Sequence, residues 1–145
     1  MKDKPFVGVW MDHRRAQLFW SDRDANVEMQ EIQSGFQEEG EPTDNVEPAT
    51  EQGHVGGGVE HARLENRRAE QLKHYYKKLD KTLRDADNIY LFGPGQAKKE
   101  LANYLEQDKG LRARIQGVEN ADKKLTQNQK AARVRDFFDL PRDIV

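Results

Sequence analysis

Three consecutive glycines, Gly56-Gly57-Gly58, are the residues of this sequence best suited to bring a backbone against a reacting group. Glycine has no side chain, so its amide can approach a ligand closely. Amides at the start of a helix also attract anions. A nucleotide-binding loop is excluded, because Val59 and Glu60 stand where Lys and Ser or Thr would follow, and the G-x-G-x-x-G spacing is absent. On composition alone, a flexible hinge is the simpler interpretation.

The residues after the glycines predict a long amphipathic helix over residues 59–86. Its apolar side, at the helical period, carries Leu64, Leu72, Tyr75, Leu79 and Leu83. Nearly opposite lie five cationic or partly cationic residues, which we call the basic face: Arg63, Arg67, His74, Lys78 and Lys81. Such a face resembles the phosphate-contacting surfaces of nucleic-acid-binding proteins. The alternative is a solvated face whose charges pair along the helix, for example Glu70 with His74.

A turn formed by Gly93, Gly95 and Gln96 is the second candidate site. It follows a predicted strand at residues 89–92 and precedes a predicted helix, the place where open α/β sheets often bind ligands. Two glycines and a helix N-terminus suit a bound anion. A tight structural turn is the favoured interpretation, because Gly and Pro are the residues that such turns use.

The sequence gives little indication of a metal site or of a catalytic nucleophile. His54 and His61 flank the glycines near Glu60, but no third ligand stands at a recognisable spacing, so we expect neither a metal nor another cofactor. The chain contains no Cys and no G-x-S-x-G motif. Asp12, at the end of the first predicted strand, could be a catalytic carboxylate, but without partners it is better explained as a turn residue.

The elements that must position these residues alternate between strands and helices. An apolar hairpin comes first and a strand with one wet face follows, while the last helix opens with a capping box at Thr126 and Gln129 and is anchored by Val134, Phe137 and Phe138. This order predicts an α/β fold, a mixed β-sheet with helices packed on it. The predicted strands cover residues 6–11, 16–20, 27–32, 89–92 and 115–118, and the predicted helices cover residues 59–86, 96–106 and from 126 onward.

Composition sets the remaining bounds. The 145 residues suit a single domain over residues 1–145, no apolar segment could span a bilayer, and the lack of Cys fits the cytoplasm. The net charge of -2 hides a segregation: residues 21–51 carry ten acids against one base, whereas residues 62–84 carry eight bases against three acids. Residues 35–58 lose all periodicity and predict a mobile, acidic and Gly-rich loop. This loop could fold over the basic face and mask it.

The sequence as a whole resembles the central domain of the archaeal and eukaryotic class-one peptide-chain release factors and of Pelota. It is most similar to the bacterial stand-alone relatives labelled translational machinery proteins. The resemblance covers nearly the whole chain except residues 35–52. It rests on VGVWMD (7–12), ARLENRR (62–68), YYKKL (75–79), LFGPGQAKKEL (91–101), ADKKLT (121–126) and AARVRDFF (131–138).

The resemblance implies a ribonuclease-H-like topology and a partner in the ribosome, rRNA or tRNA. In release factors a Gly-Gly-Gln motif before the long helix promotes hydrolysis of peptidyl-tRNA. That motif falls here on Gly57-Gly58-Val59 or on Gly56-Gly57-Gly58, and neither has Gln. The resemblance therefore implies a ribosome- or RNA-associated factor, active in ribosome rescue, with a degenerate motif. Two alternatives stay open: a peptidyl-tRNA hydrolase acting on stalled ribosomes, and a protein-interaction module that uses the acidic loop.

Overall fold

A five-stranded sheet organises the part of the chain that the computed structural model describes, residues 3–35 and 57–141. The strands lie in the order β3-β2-β1-β4-β5. Neighbouring strands are antiparallel from β3 to β1, whereas β4 runs parallel to both β1 and β5. The strands are β1 (Phe6–Met11), β2 (Arg15–Ser21), β3 (Val27–Gln33), β4 (Asn88–Gly93) and β5 (Ile115–Asn120).

Four helices complete the described part of the chain. The predicted α/β architecture, a mixed β-sheet with helices packed on it, is confirmed, and the sheet is an antiparallel meander extended by two parallel strands. The helices are α1 (Gly57–Leu83), α2 (Ala97–Tyr104), α3 (Lys109–Arg112) and α4 (Gln127–Phe137), with a 3-10 turn at Leu105–Gln107 between α2 and α3.

Each face of the sheet carries its own apolar core, because successive strand side chains point to opposite faces. On one face, α1 and α2 pack on alternate residues of the central strands. On the other face, Val134 of α4 packs with Trp10, Phe19, Tyr90 and Phe92. The first core includes Val7, Val9, Leu18, Leu91, Tyr75, Leu79, Leu83 and Leu101.

Helix α4 sits close to the sheet because two strand positions under it lack side chains. Val134 lies directly over Gly8, and the ring of Phe137 lies over Gly117. Phe137 also stacks on Tyr90, with ring centroids 3.9 Å apart and an interplanar angle of 8°. The capping box predicted at Thr126 and Gln129 is present, so this helix begins as the sequence indicates.

The structure corrects three details of the helices. Helix α1 begins at Gly57 and ends at Leu83, so Gly57 and Gly58 belong to its first turn, whereas residues 36–56 of the predicted loop, including Gly56, lie outside the described residues. Leu64 was expected to face the core but is 45% exposed, because α1 has no sheet beneath it there. Helix α3 was not predicted; Asp108 caps it by accepting a hydrogen bond from the Leu111 amide.

Gly93 gives a test of how tightly β4 packs against β1. It is buried with φ +144°, and an added Cβ would collide with the carbonyl oxygen of Met11. We expect Gly93→Ala to lower the free energy of unfolding by about 3 kcal/mol or more, because backbone strain and a backbone clash add together.

The matched control is Gly95→Ala, which has φ +67° but no atom within 4 Å of the new Cβ. It should cost only about 1–2 kcal/mol, the usual cost of a left-handed residue with a side chain. Urea unfolding of both variants measures the two losses. Equal losses would contradict the packing described here.

Candidate nucleic-acid interface

Helix α1 is too long for the sheet on which it packs. Its 27 residues extend about 40 Å, roughly twice the length of a six-residue strand. Its C-terminal end is fixed at the start of β1, where the amides of Asp87 and Asn88 both donate to the carbonyl of Pro5 at 2.9 Å. Tyr75 already contacts the residue that follows β1, so the part of α1 before Tyr75 extends past the carboxyl end of that strand.

Burial along α1 divides it into an anchored half and a projecting half. Tyr75, Tyr76, Leu79 and Leu83 are buried against the sheet. Between residues 63 and 70, by contrast, every residue is exposed except the half-buried Arg68. The projecting half therefore offers its side chains to a partner without any rearrangement of the core.

The structure places all five residues of the basic face on exposed positions. From Arg63 to Lys81 the face extends about 27 Å along one side of α1. Lys73 and Lys77, which the sequence analysis did not select, are exposed beside it. An open surface depression of about 420 Å³ lies on the projecting half, lined among the described residues by Arg63, Asn66, Arg67, Glu70, Gln71 and His74.

Two adjacent tyrosines lock α1 where it leaves the sheet. The hydroxyl of Tyr75 donates to the carbonyl of Asp12 at 3.0 Å, and that of Tyr76 donates to Glu100 Oε1 at 2.7 Å. His13 Nε2 lies 2.9 Å from the same oxygen of Glu100. These contacts join α1, the β1–β2 turn and α2 at the carboxyl ends of β1 and β4. Sequence reasoning missed this network, because its partners are far apart along the chain.

Burial extends the pH range over which both hydroxyls stay protonated, as the network requires. It raises the pKa of Tyr75 far above the ordinary value of 10, and the charge of Asp12 adds to the effect. Burial likewise raises the pKa of Tyr76, and the hydrogen bond to Glu100 contributes further. Both side chains, which are protonated at neutral pH in any case, therefore stay hydrogen-bond donors into the alkaline range.

The second candidate site, Gly93, Gly95 and Gln96, has the contacts of a structural turn. The carbonyl of Gly95 accepts a hydrogen bond from the buried amine of Lys98, and burial lowers the pKa of that amine. The carbonyl of Gln96 accepts hydrogen bonds from two amides of α2. These contacts support the structural interpretation, and anion binding at this turn stays a prediction.

Asp12 is the turn residue that the sequence suggested. Its Oδ1 accepts hydrogen bonds from the amides of Arg14 and Arg15 at 2.8 and 3.0 Å, which shape the β1–β2 turn. Within residues 3–35 and 57–141, no group of three or more His, Cys, Asp or Glu side chains could hold a metal ion. Over the same ranges, no helix combines the length and apolar character needed to cross a membrane.

Comparisons with known proteins find similarity in structure alone, since no family model and no curated protein sequence matches the chain. The archaeal translation termination factor aRF1 superposes with a TM-score of 0.51 at 13% identity, over 92% of this chain and 38% of that one. The fold is release-factor-like. This chain spans less than two fifths of the length of aRF1. Membership of the bacterial stand-alone relatives stays a prediction.

Two further solved structures superpose less closely. The Pelota protein of Thermoplasma acidophilum gives a TM-score of 0.41 at 18% identity, over 92% of this chain and 38% of that one. Dom34 of S. cerevisiae, a translation termination-like factor involved in RNA quality control, gives 0.45 at 12% identity, over 93% and 36%.

The tyrosine lock predicts a particular dependence of stability on alkaline pH. Because the pKa of Tyr76 is higher in the folded state than the ordinary value of 10, its contribution is complete below pH 10 and is lost as pH rises above it. We expect Tyr76→Phe to lower the free energy of unfolding by about 1–2 kcal/mol at neutral pH, since Glu100 is a charged but partly exposed acceptor.

The difference between the natural protein and Tyr76→Phe should shrink above pH 10. Urea unfolding from neutral pH to about pH 11 measures it, with Tyr104→Phe, a half-buried tyrosine outside the lock, as control. A constant difference across this range would mean that the hydroxyl of Tyr76 is not held as described.

Proposed function

We propose that this protein is a ribosome-associated RNA-binding factor whose basic face contacts phosphates of rRNA or tRNA. The observation that carries the proposal is the exposure of all five residues of the basic face along a helix that projects past the sheet. Because these side chains lie at the surface, they can contact a phosphate while part of their hydration remains, so the contact avoids the large desolvation cost of a buried ion pair.

The charge distribution supports a local contact. The whole chain has a net charge of -2, so it has no general attraction for polyanions. The bases are concentrated instead in residues 62–84. Binding should therefore depend on a few side chains, which makes the proposal open to test by substitution.

The ribosome is favoured as the source of the RNA because the fold is shared with aRF1, a translation termination factor. On this proposal the protein works in the cytoplasm, in termination or in the rescue of stalled ribosomes. The role is binding rather than hydrolysis, because neither alignment of the Gly-Gly-Gln motif supplies a Gln. Two alternatives remain, hydrolysis of peptidyl-tRNA and a protein-interaction role. The following experiment separates the protein-interaction role from RNA binding, and a later assay tests hydrolysis.

Co-sedimentation with ribosomes at about 50 and about 200 mM salt tests the proposal. If the face neutralises about four phosphates, affinity should fall roughly 50- to 150-fold between the two concentrations, because bound phosphates release counterions. Replacing Arg67, Lys78 and Lys81 by Gln should weaken binding at low salt and lower the salt slope by about one unit for each lost contact. Gln keeps the helix propensity of α1.

The control variant replaces Lys109, Lys123 and Lys124 by Gln, which changes the net charge equally at exposed positions outside α1. It should sediment like the natural protein. If both variants lost ribosome binding equally, overall charge alone would explain the binding, and the proposed role of the basic face would be wrong. Ribosome affinity that is the same at both salt concentrations would favour the protein-interaction alternative. Affinity that falls with salt would make a peptidyl-tRNA hydrolysis assay the next step.

A further inference from the structure

We propose that the RNA bound by the basic face is double-helical, and that it is recognised through its backbone and shape rather than through its bases. This inference rests on the proposed function and names the class of RNA that the site takes. It follows from what the described surface offers besides charge, and from the rigidity of α1.

No Phe, Tyr or Trp ring is exposed in residues 3–35 or 57–141, although the smaller imidazole ring of His74 is exposed. Single-stranded RNA is bound largely through bases stacked on aromatic side chains or on Arg planes, and stacking on an aromatic ring is worth about 1–3 kcal/mol per base. Over the described residues, only His74 and the exposed arginines are left for such stacking. The Phe, Tyr and Trp rings, all buried or half-buried, are Phe6, Trp10, Phe19, Trp20, Tyr75, Tyr76, Tyr90, Phe92, Tyr104, Phe137 and Phe138.

The tyrosine rings nearest the basic face are committed to the core. Tyr75 and Tyr76 lie on the same helix but point toward the sheet, where each hydroxyl has a partner. Elsewhere, rings are already covered by cations of the protein itself. Lys130 Nζ lies 3.6 Å from the ring centroid of Trp10, and the guanidinium of Arg133 lies 5.7 Å from that of Phe92. Exposing any of these rings would disrupt a core.

The geometry of α1 suits a regular array of phosphates. Arg67 and Lys78 are separated by about 16 Å along the helix axis, and Lys81 lies about 5 Å further on. Because Leu79 and Leu83 are fully buried and the two tyrosines are locked, these spacings are fixed before binding. A preorganised row of cations gains most from a partner that is itself rigid, because neither side then loses much conformational freedom.

Duplex RNA has these properties. Its deep major groove is closed to side chains, so proteins recognise it by phosphates, 2′-hydroxyls and shape, largely without regard to sequence. The exposed amide side chain of Asn66 and the half-buried one of Gln71 lie among the cations of the projecting half and can hydrogen-bond 2′-hydroxyls. A duplex therefore uses both the cations and the amide side chains that this surface presents, whereas the carboxylate of Glu70 in the same depression is not a phosphate contact.

Fluorescence anisotropy with two RNA probes tests the inference. One is a hairpin with a stem of about 16 base pairs, the length that double-stranded RNA-binding domains cover. The other is an unpaired strand with the same number of phosphates. At low salt the natural protein should bind the hairpin at least about tenfold more tightly, because residues 3–35 and 57–141 offer the strand no exposed Phe, Tyr or Trp ring on which to stack. A second hairpin of unrelated sequence should bind with the same affinity within about twofold.

The matched variants localise the effect. Replacing Arg67, Lys78 and Lys81 by Gln should remove most of the hairpin affinity, whereas replacing Lys109, Lys123 and Lys124 by Gln should leave it unchanged. Equal or tighter binding of the unpaired strand, or strong dependence on the stem sequence, would overturn the inference and leave the proposed function intact. If neither probe binds, the inference is wrong, and sedimentation with ribosomes decides separately whether the proposed function survives.

Discussion

The structure depends on a mismatch in length between one helix and the sheet that holds it. Helix α1 runs about 40 Å, and its described side chains from Leu72 to Leu83 supply its contacts with the apolar core. The part of α1 before Leu72 projects, and its described side chains from Arg63 to Glu70 are exposed or half-buried. The tyrosine lock at Asp12 and Glu100 fixes where packing ends and projection begins. A helix that began near Tyr75 would lack the projecting part, which carries Arg63 and Arg67 of the basic face.

The basic residues of α1 differ in their contacts from the basic residues that pack near the sheet. Near the sheet, the cations of the protein are used internally: Lys130 bonds to Gln17 and covers Trp10, and Arg133 bridges Tyr90 and Glu119. On α1 the five residues of the basic face are exposed. The proposed phosphate contacts would therefore leave the buried contacts of the fold intact. On this proposal, stability and binding rest on different sets of basic residues.

Local patterns in the sequence predicted much of the fold, because most of its elements obey local rules. The strands followed from apolar runs and turn residues, and α4 followed from the capping box at Thr126. Tertiary effects were not predictable in the same way. Leu64 has the right helical phase to face a core but no core beneath it, and the partner of Tyr76 is Glu100, 24 residues away. The basic face could be predicted because exposure of charge is the default on a helix.

The central claim is that the basic face of α1 is where RNA meets the protein. Chemical acetylation of lysines, with and without bound ribosomes, tests it at single-residue resolution and needs no substitution. If the claim holds, ribosomes should protect Lys78 and Lys81 of the basic face, whereas Lys109, Lys123 and Lys124 react at unchanged rates. Protection of the second set alone, or no difference between the two sets, would contradict it.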